Sequence, residues 1–228
     1  MNEPETVFRE TLPALLSRMP DVASESGFAL PDGTLSLLGD LVRDASIRHV
    51  FEFGSGRSTK TFLDAGCHVT SLEDSHQWLE QTMANIPAAS RERLHAVAQP
   101  LEIVWHGGAP LRSWRLGEKM CEALHDAELI LIDSPSFPPF REHALILSLQ
   151  HATKAVIVID DANIPTIQRF CRRIAALNPN LNTCSTTKDH GLFFFGKAGS
   201  HTLHFRRGLI ETCKMWRRFF SAGRSVKN

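Results

Sequence analysis

The chain has 228 residues, 43% of them hydrophobic, with 25 lysines and arginines balanced by 25 aspartates and glutamates. That length and apolar content suit a single globular domain with a large core, and the zero net charge supplies no overall field to draw the chain to nucleic acid. Five scattered cysteines with no Cys-x-x-Cys pair argue against a disulfide framework or a zinc site; no apolar run reaches the ~18 residues of a spanning helix, and the acidic N-terminus lacks a signal-peptide core, so a cytoplasmic protein is expected.

Residues 1–46 read as an acidic helical cap interrupted by Pro13, Pro20 and Pro31. Leu12, Leu15 and Leu16 form one apolar stripe; Leu35, Leu37, Leu38, Leu41 and Val42 form another. Asp32 or Thr34 is placed to cap the second helix, and both helices are expected to pack over the sheet. A β-favouring run from His49 to Phe53 then breaks at Gly54-Ser55-Gly56 and turns into Ser58 and Thr59, which suit a helix N-terminus. Two glycines without Cβ atoms let the backbone turn sharply and approach a ligand, so this strand–loop–helix unit is where a nucleotide-like ligand is expected. The helix ends at Gly66, a C-cap residue, and a second strand, Cys67 to Leu72, ends in Glu73-Asp74. An acid about 20 positions beyond the glycines, at a strand tip, can accept hydrogen bonds from both hydroxyls of a ribose.

A helix from Ser75 to Asn85 leads to a third strand, Leu94 to Val97, with Gln99-Pro100-Leu101 at its end. Ile103 to Trp105 suggest an extra strand before the turn Gly107-Gly108-Ala109-Pro110. After a helix from Gly117 to Asp126, the run from Ala127 to Ile132 forms a fourth strand ending in Asp133, and a proline-rich loop reaches Arg141 at the head of a helix ending at His151. The fifth strand, Ala155 to Ile159, stops at Asp160-Asp161; Pro165 opens a helix to Leu177, and Asn182–Thr187 and Leu192–Phe195 flank the turn at His190-Gly191. Strands alternating with helices call for an α/β fold: a doubly wound, mainly parallel, seven-stranded Rossmann-like sheet across residues 47–199. Residues 200–228 are basic, with Arg206, Arg207, Lys214, Arg217, Arg218, Arg224 and Lys227 against Glu211 alone. Leu209, Ile210, Met215, Trp216, Phe219 and Phe220 are interleaved among them, which reads as an amphipathic helix for docking, for a homodimer contact or for a membrane surface.

The series Glu52-x-Gly54-x-Gly56-x-Ser58-Thr59, Ser71-Leu72-Glu73, Leu131-Ile132-Asp133-Ser134-Pro135, Arg141 and Ile159-Asp160-Asp161-Ala162 resembles the class I S-adenosylmethionine-dependent methyltransferases, in particular small single-domain enzymes and their metal-dependent O-methyltransferase relatives. The resemblance implies that Glu52 and the loop Gly54, Ser55 and Gly56, followed by Ser58 and Thr59, hold the methionine end of the cofactor. It implies that Glu73, next to Asp74, takes the ribose, that Gln99, Pro100 and Leu101 border the adenine, and that Asp133 lies beside the sulfonium. It also implies methyl transfer to a small-molecule acceptor; the carboxylates Asp133, Asp160 and Asp161 put oxygen ahead of nitrogen as that acceptor. Asp133, Asp160 and Asp161 stand where some relatives hold Mg²⁺, although the lysine base of catechol-type relatives is absent, with Ser136 in that region, and Lys154-Ala155 replaces their Gly-Gly. His190 is the preferred general base, ahead of His143 and Asp133; Arg141 is placed either to bind an anionic substrate group or to brace the aspartates. An NAD-dependent oxidoreductase is the rival reading, weakened by the missing third glycine at Arg57-Ser58-Thr59, and a non-catalytic cofactor-binding module is another.

Overall fold

Five apolar runs, each buried on both faces, set the frame of the molecule, as expected where helices cover a parallel sheet from either side. The computed structural model describes residues 4–19, 30–199, 203–205, 212–217 and 219–220. Pro20 and, in the tail, Arg206, Arg207, Leu209, Ile210, Glu211, Arg218, Arg224 and Lys227 lie outside them. The chain begins with α1 (Pro4–Thr6), a π-helical turn at Val7–Thr11, and α2 (Leu12–Arg18), followed by α3 (Asp32–Asp44). Then come β1 (His49–Phe53), α4 (Arg57–Asp64), β2 (His68–Glu73), α5 (His76–Ala84), α6 (Ala88–Arg91) and β3 (Leu94–Ala98). The hairpin strands β4 (Glu102–His106) and β5 (Ala109–Ser113) precede α7 (Glu118–Asp126), β6 (Leu129–Ile132), a 3₁₀ turn at Pro138–Phe140 and α8 (Arg141–His151). The chain continues through β7 (Lys154–Ile159), α9 (Pro165–Leu177), β8 (Asn182–Thr186) and β9 (Leu192–Ala198).

The main sheet has seven strands in the order β3-β2-β1-β6-β7-β9-β8. The pairs from β3 across to β7 are parallel, and β9 runs antiparallel to both β7 and β8. After β1 the chain winds to one side, through β2 and β3, and then returns to lay β6 and β7 on the other. The order therefore reverses between β1 and β6, and a crevice opens beyond the carboxyl ends of those strands. Strand alternation divides the core in two. Val50, Val69, Leu129, Leu131, Val156 and Val158 pack with the N-terminal helices and α4; Phe51, Phe53, Ile130, Ile132, Ile157 and Ile159 pack with α7, α8 and α9. Each such side chain, fully buried, stabilises the fold by about 1.5–3 kcal/mol.

Three local expectations are corrected. The extra strand at Ile103–Trp105 is half of an antiparallel hairpin whose other half, Ala109–Ser113, reads as a turn because of Pro110. Pro13 does not interrupt its helix: a π-turn precedes it, with the Leu12 N–H donating to the Val7 carbonyl, so the ladder is already re-registered where the missing donor falls. Neither Asp32 nor Thr34 caps α3, whose N-cap is Pro31. Asp32 instead pairs with Arg57 at 2.5 Å, and the Thr34 hydroxyl donates to Asp189 at 3.2 Å.

Candidate active site

The crevice, about 390 Å³, is walled by the tips of β1, β2, β6 and β7 and by the last turn of the sheet. On its floor Gly54 has φ +105°, a conformation open to glycine, and a Cβ there would stand 3.0 Å from the Cβ of Ser134. That approach is fixed by backbone bonds: the Asp133 and Ser134 N–H groups both donate to the Phe53 carbonyl, and Gly54 N–H donates to Leu72. Gly56 is extended and begins α4, where the Thr59 hydroxyl accepts its N–H at 3.0 Å. Thr59 thus caps the helix that the loop opens.

Glu73 turns toward this loop. One carboxylate oxygen accepts from the Ser55 N–H at 2.8 Å and the Ser55 hydroxyl at 3.1 Å, and the other accepts from the Ser75 N–H at 2.9 Å. Burial raises the Glu73 pKa, against the pull of those donors. Asp74 accepts from the Ser134 hydroxyl at 2.8 Å, tying the tip of β2 to that of β6. Beneath the loop, Glu52 is fully buried and both of its carboxylate oxygens lack a hydrogen-bond partner. Burial pushes its pKa up to about 8; the nearby Ser58 and Thr59 hydroxyls act the other way without completing a bond to it.

The opposite wall gathers the other acids around one arginine. Arg141 is buried and donates from Nε to the Pro135 carbonyl at 3.1 Å and from a terminal nitrogen to the Asp160 carbonyl at 3.3 Å. Its guanidinium also pairs with Asp133 at 3.3 Å and with Asp161 at 3.1 Å. Asp161 sits in the left-handed region at φ 58°, which aspartate adopts more readily than most side chains, and its other oxygen lies 3.6 Å from His190 Nδ1. Gly191 makes room for this turn: a Cβ there would lie 2.7 Å from the Asn163 nitrogen. Desolvation raises Asp133, opposed by Arg141, and raises Asp160 well above the carboxylate range, reinforced by its acidic neighbours.

The structure therefore brings together Gly54, Ser55, Glu73, Asp133, Arg141, Asp160, Asp161 and His190 on one crevice. Candidate metal-ligand atoms of Asp160, Asp161 and His190 lie within 4.8 Å of one another, a set that includes the histidine and not Asp133. Gln99, Pro100 and Leu101 are not on its walls. The Gln99 carboxamide donates to the Arg115 carbonyl at 2.9 Å, the Gln99 backbone carbonyl accepts from the Trp114 indole N–H at 3.1 Å, and Leu101 packs against the second core. His143 is turned to Ser113 at 2.8 Å, away from the crevice. Trp78, Ser134, Ser136, Pro138 and Ile164 are wall residues that sequence reading missed; the Trp78 indole N–H donates to the Ser55 carbonyl at 2.6 Å while 42% of the residue stays exposed. An aromatic five residues beyond Glu73, in the first turn of the next helix, was the available signal.

No protein-family profile matches the chain, and no curated protein sequence matches it. Among solved structures it is similar to a methyltransferase from Geobacter sulfurreducens, with 13% identity, 82% of this chain and 96% of that one covered, and a TM-score of 0.55. The Podospora anserina methyltransferase PaMTH1, bound to SAH, is similar at 12% identity, 86% and 88% coverage, and a TM-score of 0.55. A Staphylococcus aureus protein assigned as a caffeoyl-CoA O-methyltransferase is similar at 15% identity, 87% and 93% coverage, and a TM-score of 0.52. The chain has the fold of the class I methyltransferases.

Proposed function

We propose that the protein is an S-adenosylmethionine-dependent methyltransferase acting on a hydroxyl of a small molecule. One observation carries the reading: two strand-tip carboxylates, Glu73 and Asp133, flank the Gly54 turn in a single crevice at the reversal of the sheet. The residues fit the cofactor chemically. Glu52 is a buried carboxyl group without a partner, an arrangement suited to the cationic methionine end, and Glu73 keeps about one lone-pair site of four for a ribose hydroxyl beyond the three donors it already holds. When bound, the cofactor supplies an electrophilic methyl on a sulfonium.

The chain's own residues then align and deprotonate the acceptor. His190 takes the hydroxyl proton, and Asp161, 3.6 Å away, orients the ring and steadies its charged form. Arg141 fixes Asp133 and Asp161 rather than reaching for substrate, since its contacts in the structure are to those carboxylates and to two backbone carbonyls. A dication held by Asp160, Asp161 and His190 is the second reading, favoured by the unpartnered Asp160 Oδ1. Two features weigh against Mg²⁺ in particular: a guanidinium already neutralises Asp161, and imidazole is a poor ligand for that ion. The five free cysteines suit a reducing, cytoplasmic setting.

Isothermal titration with S-adenosylhomocysteine and with NAD⁺ tests the cofactor: binding of the first alone is expected, and binding of NAD⁺ alone would return the oxidoreductase reading. A protein that bound the first yet transferred no methyl group to any hydroxyl or amine would be a binding module. His190→Ala is expected to lower kcat far more than cofactor affinity, and EDTA to leave turnover unchanged. Loss of turnover with EDTA, restored by an added dication such as Mn²⁺ or Mg²⁺, would establish the metal reading.

A further inference from the structure

Four large apolar side chains are exposed among the described residues. Trp78 belongs to the crevice; the other three, Ile103 (53%), Trp105 (68%) and Phe220 (58%), are not on its walls. Ile103 and Trp105 are two residues apart on β4 and so project from the same face of the hairpin, with Arg112 opposite Ile103. Trp216 joins the tail to that face. Its ring meets Trp105 edge-on at 5.2 Å, stacks on Phe220 at 5.7 Å, and its N–H donates to the Gly108 carbonyl at 3.2 Å. Lys214 and Arg217 are exposed on the same helical stretch, residues 212–217. Residues 201–228 hold seven lysines and arginines against one glutamate in a chain of zero net charge, and two of the seven, Lys214 and Arg217, lie on the stretch that carries Trp216 and so beside the aromatic cluster.

We propose that this face docks on the surface of an anionic membrane. Tryptophan and phenylalanine suit the headgroup boundary, where an indole keeps one end apolar and one wet, and flanking lysines and arginines meet the lipid phosphates. No helix among the described residues is long and apolar enough to cross a bilayer, so the contact is peripheral. The charge pattern disfavours a second copy as the occupant. A two-fold contact through this face would bring the same cations together. Ile103 offers a base no ring to stack on, so the exposed apolar surface suits lipid better than single-stranded nucleic acid, and competition with RNA tests the choice.

The full chain is to be sedimented with vesicles of phosphatidylcholine alone and with vesicles carrying about 30% phosphatidylglycerol, at low salt and at about 0.5 M salt. Binding to the anionic vesicles is expected to exceed binding to neutral ones by about tenfold or more and to weaken at high salt. Lys214→Glu/Arg217→Glu should lower it by about tenfold, and Ile103→Ser/Trp105→Ser should lower it on both vesicle types, with melting curves showing that the variants fold. The proposal is overturned by equal or absent binding to the two vesicle types, or by binding that neither variant changes. It is also overturned by a concentration-dependent dimer that Ile103→Ser/Trp105→Ser abolishes, or by single-stranded RNA competing the protein off anionic vesicles at equal charge. S-adenosylhomocysteine titration of the same variants should be unchanged, which separates this face from the crevice.

Discussion

Glu52 sits in β1 with no hydrogen bond to either oxygen, so a charge there bears the full loss of hydration. Its carboxyl keeps a proton up to about pH 8 in the folded chain, against an ordinary value of 4.5. Between those values the folded state binds the extra proton; the contribution to stability is therefore complete below 4.5 and is lost as pH rises toward 8. Glu52→Gln keeps the shape and removes the titration. Its melting temperature is expected to fall less than the parent's over that window; parallel slopes would show that Glu52 is not the group responsible. The same physics bears on ligand binding: a cation placed beside Glu52 favours its charged form, so cofactor binding near pH 7 is expected to release a proton, seen as buffer-dependent heat in calorimetry. Backbone strain at the loop gives a second residue-scale prediction. Gly54→Ala forces a Cβ into a positive-φ position 3.0 Å from Ser134, whereas at Gly56 the backbone is extended and the nearest atom is 3.9 Å away. The first substitution is expected to cost about 1–3 kcal/mol more than the second in denaturant melts and to abolish cofactor binding.

Between residue and molecule, α5 carries a reporter. Its N-cap Ser75 holds the Trp78 N–H, and the indole reaches over the loop to the Ser55 carbonyl, so a ligand laid on the Gly54 turn meets this ring. S-adenosylhomocysteine is expected to change tryptophan emission in the parent and not in Trp78→Phe. Binding seen by calorimetry with no change in the parent would place the ligand elsewhere. How far each element could be read from sequence follows from where its partners lie. The buried strands β1, β2, β6 and β7 were legible because a strand covered on both faces is a short apolar run, and its polar tip marks where the sheet ends. The helix Pro165–Leu177 was bounded correctly because proline fixes the first turn. Long-range partners were not legible. Asp32 and Thr34 look like helix caps until Arg57 and Asp189 arrive from 25 and 155 residues away. Nor could the sequence decide Arg141's role, which depends on two loops bringing Asp133 and Asp161 to the same guanidinium. Pro110 hid β5 because proline argues against a strand, yet it is tolerated in a two-stranded ribbon.

At the scale of the whole molecule, the reversal of strand order makes the crevice a shared feature of four strands, so a ligand there would brace strand tips that are otherwise tied by the sheet and a few side-chain bonds such as Ser134 to Asp74. The two cores lie on opposite faces of that sheet, and the crevice sits at its edge between them. A ligand that binds the folded chain alone adds RT ln(1 + [L]/Kd) to stability, about 2.7 kcal/mol at a hundred times Kd. For a chain of this length each kcal/mol raises the melting temperature by about 2–4 °C, so S-adenosylhomocysteine at that excess is expected to raise it by about 5–11 °C. Glu73→Ala removes the carboxylate proposed for the ribose, along with its bonds to Ser55 and Ser75, and should abolish most of that rise even if the variant starts lower. Comparing each variant with its own ligand-free melt separates the two effects. A rise that survives Glu73→Ala would mean that the ligand stabilises the fold from outside this crevice.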